Sequence, residues 1–271
     1  MMHDNSNINY KILSLVERLK IKNFLSTINS ELIKLLSSEL TIGVEIEFYC
    51  KEANTAFLNQ ILPEFHFVNE RGEDQFEYHL GPYSSYNHED ICNKIPESMT
   101  LIEKKLSLSK LIADFDPKPY ENDYGSSIQF QFSSESALFQ DKIEEICASF
   151  CHYAKSTFLA YAQSPCDYKR FDSEFMAPTH ISYGHNNRTC LIRINGEQQT
   201  RIEVRSPSSK SDPYLVLSAI LMNIYKALTE ESRLSKYPKI YGNSHDSQYN
   251  LDKIPETIND AEQLFDEKFF L

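Results

Sequence analysis

The segment Thr41-Ile-Gly-Val-Glu-Ile-Glu-Phe-Tyr49 alternates apolar and acidic residues with a period of two. This period predicts a β-strand whose apolar side chains face a core, while Glu45 and Glu47 share the opposite face. Two neighbouring carboxylates on one face of a strand repel each other. The segment is therefore either a solvated strand or a strand that presents its carboxylates to a cation.

Four further segments carry polar side chains on one face of a short predicted strand. They contribute Glu70 with Glu77, Gln129 with Gln131, Arg188 with Arg193, and the triplet Arg201, Glu203 and Arg205. If these faces line one cavity, its carboxylates cannot all stay ionised without a cation, and hard oxygen donors favour Mg²⁺ or Mn²⁺. Mg²⁺ beside arginines suits phosphoryl transfer from a nucleotide. The pattern predicts a metal-dependent nucleotide enzyme, and ion-paired surface strands are the alternative.

Apolar spacing predicts several helices between these strands. They cover residues 8–40, in two pieces separated near Asn23, and residues 88–113, 135–163 and 214–229. Asp212 and Pro213 form the start of the last helix, as an N-cap and a first-turn proline. That helix is apolar nearly all round, so we expect it to be buried.

Charge and hydropathy exclude some classes of partner. The 27 basic and 39 acidic residues give a formal net charge of −12, which argues against a nucleic-acid or anionic membrane partner. No apolar run approaches the roughly 18 residues of a membrane span. Charged residues interrupt the apolar positions near the N-terminus, so we expect no signal peptide and a cytoplasmic location. The six cysteines are then expected to be reduced.

Several short motifs follow one another in a fixed order. They are Gly43-Val-Glu-Ile-Glu-Phe48, Glu70 with Gln75-Phe-Glu77, Pro117-Lys-Pro119 with Gly125-Ser126, Tyr168-Lys-Arg170, Ala177-Pro178, Asn187-Arg188, Ile192-Arg193, and Arg201-Ile-Glu-Val-Arg205 followed by Asp212-Pro-Tyr-Leu215. Each motif is weak alone. In this order and spacing they resemble the catalytic domain of the glutamine synthetase family.

The resemblance implies an α+β fold, with a curved, mainly antiparallel sheet flanked by helices. Residues 41–271 would form the catalytic domain and residues 1–40 a helical N-terminal extension. The extension is too short and too helical to form the β-grasp-type N-terminal domain of the family, so we expect that domain to be lacking. Since the family's hexameric ring depends partly on it, a smaller homo-oligomer is expected.

The resemblance also implies ATP and two to three Mg²⁺ or Mn²⁺ ions as cofactors, with an amino acid and an amine as substrates. Expected metal ligands are Glu47, Glu70 and Glu77 at one position, and Glu45, Gln129 and Glu203 at the other. Expected nucleotide contacts are Arg188, Arg201 and Gln131. Arg193 and Arg188 are the expected catalytic residues, in phosphoryl transfer. Expected substrate contacts are Arg170, Arg205, Gly125 and Met176.

Some positions depart from the family pattern. Gln129 and Gln131 replace two histidines, although a glutamine oxygen can still bind Mg²⁺. Tyr124 replaces an asparagine and Ser127 a glycine. Met176 replaces the glutamate that takes a proton from bound ammonium, and a thioether is neither a base nor an anion. Assimilation of ammonia is therefore not expected.

Two functions remain open at this point. The first is an ATP-dependent carboxylate–amine ligase that forms an amide, expected to be γ-glutamyl, with an amine other than ammonia. The second is a catalytically degenerate relative that binds a nucleotide or an amino acid as a regulatory module. A purely structural subunit is disfavoured, because the glutamates and arginines of the motifs are retained.

Overall fold

The computed structural model describes residues 21–196, 200–230 and 237–270. The helices in these ranges are α1 (Ile21–Leu36), α2 (Thr55–Ile61), α3 (His88–Leu108), α4 (Ala137–Asp141), α5 (Ile143–His152), α6 (Ala154–Tyr161), α7 (Pro213–Thr229) and α8 (Ile258–Leu264). The strands are β1 (Thr41–Tyr49), β2 (Phe67–Asn69), β3 (Gln75–Ser84), β4 (Ile128–Ser133), β5 (Tyr183–His185), β6 (Ile192–Asn195) and β7 (Arg201–Val204). Short 3₁₀ helices lie in some of the connections.

Within these ranges the strands form one open sheet in the order β2-β3-β1-β4-β7-β6-β5. All neighbours are antiparallel except β5 and β6, which run parallel. The expectation of an α+β fold with a mainly antiparallel sheet is confirmed. Strand β1 lies between β3 and β4, so its side chains have close neighbours on both sides.

One face of the sheet forms the hydrophobic core. Phe48 of β1 is fully buried and stacks on Phe115 with ring centroids 5.2 Å apart. The hydroxyl of Tyr78 on β3 lies 2.8 Å from Ser98 Oγ on α3, which joins that helix to the same face. Burying each such side chain contributes about 1.5–3 kcal/mol. This core covers one face of the sheet and leaves the opposite, polar face free to form a site.

Helices α1 and α7 pack against each other and belong to the same core. Helix α7 is buried along most of its length, as its apolar sequence predicts, and Asp212 Oδ1 accepts a hydrogen bond from Tyr214 N at 2.8 Å as its N-cap. Helix α1 buries Leu25 and Leu32 completely. No helix in the described ranges is both long and apolar enough to cross a membrane.

Some predicted boundaries differ from the structure. The predicted break near Asn23 is wrong, because α1 is continuous there, and residues 8–20 lie outside the described residues. The helix predicted at 88–113 ends at Leu108, and the one at 135–163 is three short helices. The strand predicted to carry Arg188 and Arg193 begins only at Ile192, so it includes Arg193 but not Arg188. The division at residue 40 stays a prediction.

Candidate active site

The polar face of the sheet carries most of the predicted site residues. Strand register puts Glu47 opposite Glu77, and Glu45 opposite Gln129. It also puts Glu203 opposite both Gln131 and Arg193. A cavity of about 290 Å³ lies on this face, lined by Glu45, Glu70, Glu77, Gln129, Gln131, Asn186, Arg188, Arg193, Asn195, Gly196, Arg201 and Glu203.

Glu47, Glu70 and Glu77 form a tight carboxylate cluster. Each offers an oxygen, and these three atoms lie within 4.8 Å of one another. Burial, followed by the charges of Glu77 and Glu70, raises the pKa of Glu47 to about 7. Three carboxylates this close repel one another, and a divalent cation bound by hard oxygen donors would relieve that repulsion. The donor set therefore fits Mg²⁺ or Mn²⁺.

Glu47 is held in place by its neighbours on β4 and in the loop before it. Its Oε2 accepts hydrogen bonds from the backbone N and the Oγ of Ser127, both at 2.8 Å. Its Oε1 accepts a hydrogen bond from Gln129 Nε2 at 2.9 Å. These bonds fix the carboxylate orientation, and they turn the amide nitrogen of Gln129 towards Glu47 in this structure.

Glu45 forms the centre of a second cluster. Burial, followed by the charges of Glu77 and Glu203, raises the pKa of Glu45 to about 8. Gln131 Nε2 donates a hydrogen bond to Glu45 Oε1. His79, which lies opposite Glu45 on β3, contacts both carboxylates: its Nε2 is 3.0 Å from Glu77 Oε1 and its Nδ1 is 3.6 Å from Glu45 Oε1.

Glu203 is 1% exposed, and both of its oxygens accept hydrogen bonds from neighbouring side chains. Arg205 Nη1 lies 3.0 Å from Oε1, while Arg193 Nη1 and Asn195 Nδ2 lie 3.2 and 2.5 Å from Oε2. The carboxylate therefore fixes two guanidinium groups, and that of Arg193 lies at the wall of the cavity. Its role as a metal ligand stays a prediction.

A smaller inner pocket of about 40 Å³ adjoins the cavity. It is lined by Glu47, Glu70, Arg71, Gln75, Tyr124, Gly125, Ser127, Gln129, Arg170, Phe175, Met176, Ala177, Pro178, Arg188 and Arg205. The two spaces share Glu70, Gln129 and Arg188. The inner pocket therefore gives access to the same carboxylate cluster.

An apolar wall borders the inner pocket on one side. The rings of Tyr124 and Phe175 meet edge to face, with centroids 5.6 Å apart. Met176 has a left-handed backbone with φ of 57°, which is uncommon outside glycine. Arg71 Nη1 lies 3.0 Å from Met176 Sδ. Glu174 is exposed and is not among the lining residues, so the structure gives no sign that it replaces the missing carboxylate.

Arg170 is fully buried at the base of the inner pocket. Its Nη2 donates hydrogen bonds to the backbone carbonyl oxygens of Arg205 at 2.9 Å and Ser206 at 2.6 Å. Burial lowers the pKa of Arg170 to about 10. Its Nε is buried and has no hydrogen-bond partner among the described residues. Substrate contact by Arg170 stays a prediction.

Gly125 is required by close packing against Arg170. A Cβ atom at this position would lie 2.6 Å from Arg170 Cβ and 2.9 Å from the carbonyl oxygen of Pro117, distances that real Cβ atoms essentially never show. A larger residue would displace the buried guanidinium. Glycine therefore allows the loop before β4 to lie close to Arg170.

Two predicted residues lie in loops rather than strands. Glu70 follows the end of β2 and Arg188 precedes β6, and their charged groups are 3.7 Å apart. Sequence reasoning missed three residues near them: Arg71, His79 and Asn195. His79 follows Glu77 by two positions on the same strand, so the alternation used for Glu45 and Glu47 could have found it.

The fold and this charged cavity define a protein of the glutamine synthetase class. The solved structure of ligand-free GmaS has the same fold, with a TM-score of 0.74 and 18% identity over 91% of this chain and 67% of that one. The family model described as "Glutamine synthetase, catalytic domain" matches residues 59–271, and the chain belongs to that family.

Two curated relatives carry more specific names. Gamma-glutamylputrescine synthetase of Escherichia coli (strain K12) is 28% identical over 190 residues, covering 65% of this chain and 40% of that protein. Gamma-glutamylethanolamide synthetase of Streptomyces coelicolor is 31% identical over 109 residues, covering 40% and 23%. The chain thus matches less than half of the length of either relative.

Proposed function

We propose that this chain forms the catalytic part of an ATP- and Mg²⁺-dependent carboxylate–amine ligase. The product would be a γ-glutamyl amide made with an amine other than ammonia. The observation that carries the proposal is the cavity with its adjoining inner pocket, on which the predicted carboxylates and arginines of four strands and several loops converge. The catalytic unit would be residues 41–271, with residues 1–40 as an extension and a homo-oligomer smaller than a hexamer as the assembly.

The metal positions follow from the two carboxylate clusters. Glu47, Glu70 and Glu77 would hold one ion, since their oxygens already lie within 4.8 Å of one another. Glu45 would hold another, with Gln129 and Glu203 as further candidates. A bound divalent cation supplies positive charge to phosphate oxygens during transfer. Mn²⁺ would serve in place of Mg²⁺.

The guanidinium groups around the cavity are suited to bind the phosphates of a nucleoside triphosphate. Arg188 and Arg201 line the cavity and would contact phosphates, with Gln131 on the same wall. Arg193 is held by Glu203, so its guanidinium is fixed before a ligand arrives. A fixed guanidinium stabilises charge on a moving phosphoryl group better than a mobile one.

The reaction would proceed in two balanced steps. A γ-carboxylate oxygen attacks the γ-phosphorus of ATP, and the bond from that phosphorus to the β-phosphate oxygen breaks. ADP departs, and the carboxylate becomes an acyl phosphate. The amine nitrogen then attacks the acyl carbon, inorganic phosphate leaves, and the nitrogen loses one proton. Arg205 and Arg170 at the inner pocket would hold the amino acid. Gly125, which would also contact it, allows the loop before β4 to lie close to Arg170.

The amine would enter beside Met176. The described lining of the inner pocket includes two carboxylates, Glu47 and Glu70, and both are proposed metal ligands. No further carboxylate of that lining could hold and deprotonate ammonium. Tyr124, Phe175 and Met176 instead offer an apolar wall, which suits an amine with an apolar body that arrives deprotonated. The names of the two relatives support an amine larger than ammonia.

A second candidate is a binding module without turnover. It is favoured by Glu203, whose two oxygens are already taken by Arg193, Asn195 and Arg205, and by the missing carboxylate at position 176. Such a protein would bind a nucleotide or an amino acid and release neither ADP nor phosphate.

One assay separates the two candidates. The full chain is incubated with ATP, Mg²⁺ or Mn²⁺, glutamate and hydroxylamine, and ADP and the hydroxamate are measured. Hydroxylamine needs little base catalysis, so the ligase should form both products in equal amounts. Glu203→Gln should abolish them, whereas Glu121→Gln, at an exposed position, should not. Calorimetric binding of Mg–ATP without either product would overturn the ligase and favour the binding module.

A further inference from the structure

We propose that His79 is a nitrogen ligand of a divalent cation bound between Glu45 and Glu77. This inference rests on the proposed metal centre and adds a residue that neither the motifs nor the family match assigns. The imidazole would make the second metal position a mixed nitrogen and oxygen site rather than one with oxygen donors alone.

The first support is the geometry of the three side chains. Glu45, Glu77 and His79 each offer one ligand atom, and these atoms lie within 4.8 Å of one another. The two ring nitrogens contact different carboxylates, at 3.0 Å from Glu77 and 3.6 Å from Glu45. Adjacent antiparallel strands hold the three residues on one face, because Glu45 and His79 are direct partners.

The second support is the charge in this region. A protonated His79 supplies one positive charge at most, while Glu45, Glu77 and Glu47 in the two adjoining clusters each supply a negative one when ionised. An imidazole bonded to two carboxylates therefore leaves the region net negative. A divalent cation that binds the neutral ring and the carboxylates balances the charge.

The third support is a buried acceptor among the residues that line the cavity. Asn195 is 8% exposed, and its Oδ1 has no hydrogen-bond partner among the described residues. It lines the same cavity as Glu45 and Glu77. A buried amide oxygen without a partner is costly, and a hydrated cation in the cavity would supply one.

An imidazole ligand changes the preference of the site among metals. Imidazole suits transition metals, whereas sites made of carboxylate oxygens alone suit Mg²⁺ and Mn²⁺ alike. We therefore expect this position to favour Mn²⁺ over Mg²⁺. His79 itself is 46% exposed, so its replacement leaves the core unchanged and the variant should fold.

The test is pulsed electron paramagnetic resonance of Mn²⁺ bound to the full chain, which detects nitrogen directly coordinated to the ion. The wild type should show nitrogen modulation, and His79→Gln should lose it. His66→Gln, at an exposed histidine outside the cluster of Glu45, Glu77 and His79, should retain it. Mn²⁺ affinity in calorimetry should fall about tenfold or more in His79→Gln, because the replacement of even an outer-shell partner typically lowers metal affinity about tenfold.

The outcomes distinguish this inference from the proposed metal centre. Mn²⁺ binding without nitrogen modulation, or modulation that persists in His79→Gln, would overturn the role of His79 and leave the carboxylate ligands standing. A failure of the wild type to bind Mn²⁺ at millimolar concentration would overturn the metal centre itself. Thermal unfolding of each variant in chelator verifies that it is folded.

Discussion

Replacement of Glu47 by glutamine should stabilise the metal-free protein at high pH while it weakens cation binding. Glu47 is 8% exposed and lies beside Glu70 and Glu77. Burial and these two charges raise its pKa from 4.5 to about 7. The native state therefore holds a proton that the unfolded chain has already released between these two pKa values, so the contribution of Glu47 to stability falls as pH rises through that window.

The magnitude follows from the size of this window. Each pKa unit corresponds to about 1.4 kcal/mol. A pKa of about 7 therefore lowers the free energy of unfolding by about 3 kcal/mol once the pH lies above the window. Glutamine cannot ionise and avoids this cost. As the pH is raised from about 5 to about 8, the free energy of unfolding of Glu47→Gln should therefore rise by about 2–3 kcal/mol relative to that of the wild type.

Urea unfolding of both proteins in chelator measures this gain. Comparison of each protein with itself at two pH values cancels effects of the substitution that do not depend on pH. Glu121→Gln, at an exposed position, is the matched control and should change by less than about 0.5 kcal/mol. A difference between Glu47→Gln and the wild type that is the same at both pH values would refute the reasoning.

Three further predictions test other parts of the site. Mn²⁺ should bind about tenfold more weakly at about pH 6 than at about pH 8, by calorimetry, because Glu47 must release its proton before it binds the ion; equal affinity at both would contradict this. Gly125→Ala should destabilise the fold by about 1–3 kcal/mol in urea unfolding, since the new Cβ would collide with Arg170; unchanged stability would contradict the packing. Met176→Glu should raise ammonium-dependent release of ADP, because it adds a carboxylate beside Arg71, whereas Met176→Leu should not; equal rates in both variants would contradict the role of position 176.

The sequence predicted those elements whose two faces differ strongly. β1 has the predicted bounds, because its acidic and apolar residues alternate without interruption. α7 also lies where its cap and apolar run indicate. Glu70 and Glu77 were predicted to share one short strand, but Glu70 lies in the loop after β2 and only Glu77 lies on β3. The first four of the ten β3 residues are all buried, so they give no alternation of exposure that would mark where the strand begins. The helix expected at 135–163 divides at Lys142 and Tyr153, where no break was visible in the apolar spacing.

For the site, residue types on one face were predictable but their pairing was not. Alternation placed Glu45, Glu47 and Glu203 on the polar face of the sheet, and all three lie there. The pairing of Glu203 with Arg193 depends on the register of β6 with β7, which a single sequence does not specify. The contact between Arg71 and Met176 joins residues 105 positions apart through two loops, and it has no local signal.

In the proposed site the buried carboxylates bind a divalent cation, and this cation, together with the arginines, binds a nucleotide. The most direct measurement is calorimetric titration of the full chain with a non-hydrolysable ATP analogue, in Mn²⁺ and in chelator. The expected result is binding in Mn²⁺ that is lost in chelator and in Glu47→Gln. Equal binding in Mn²⁺ and chelator, or no binding in either, would contradict it.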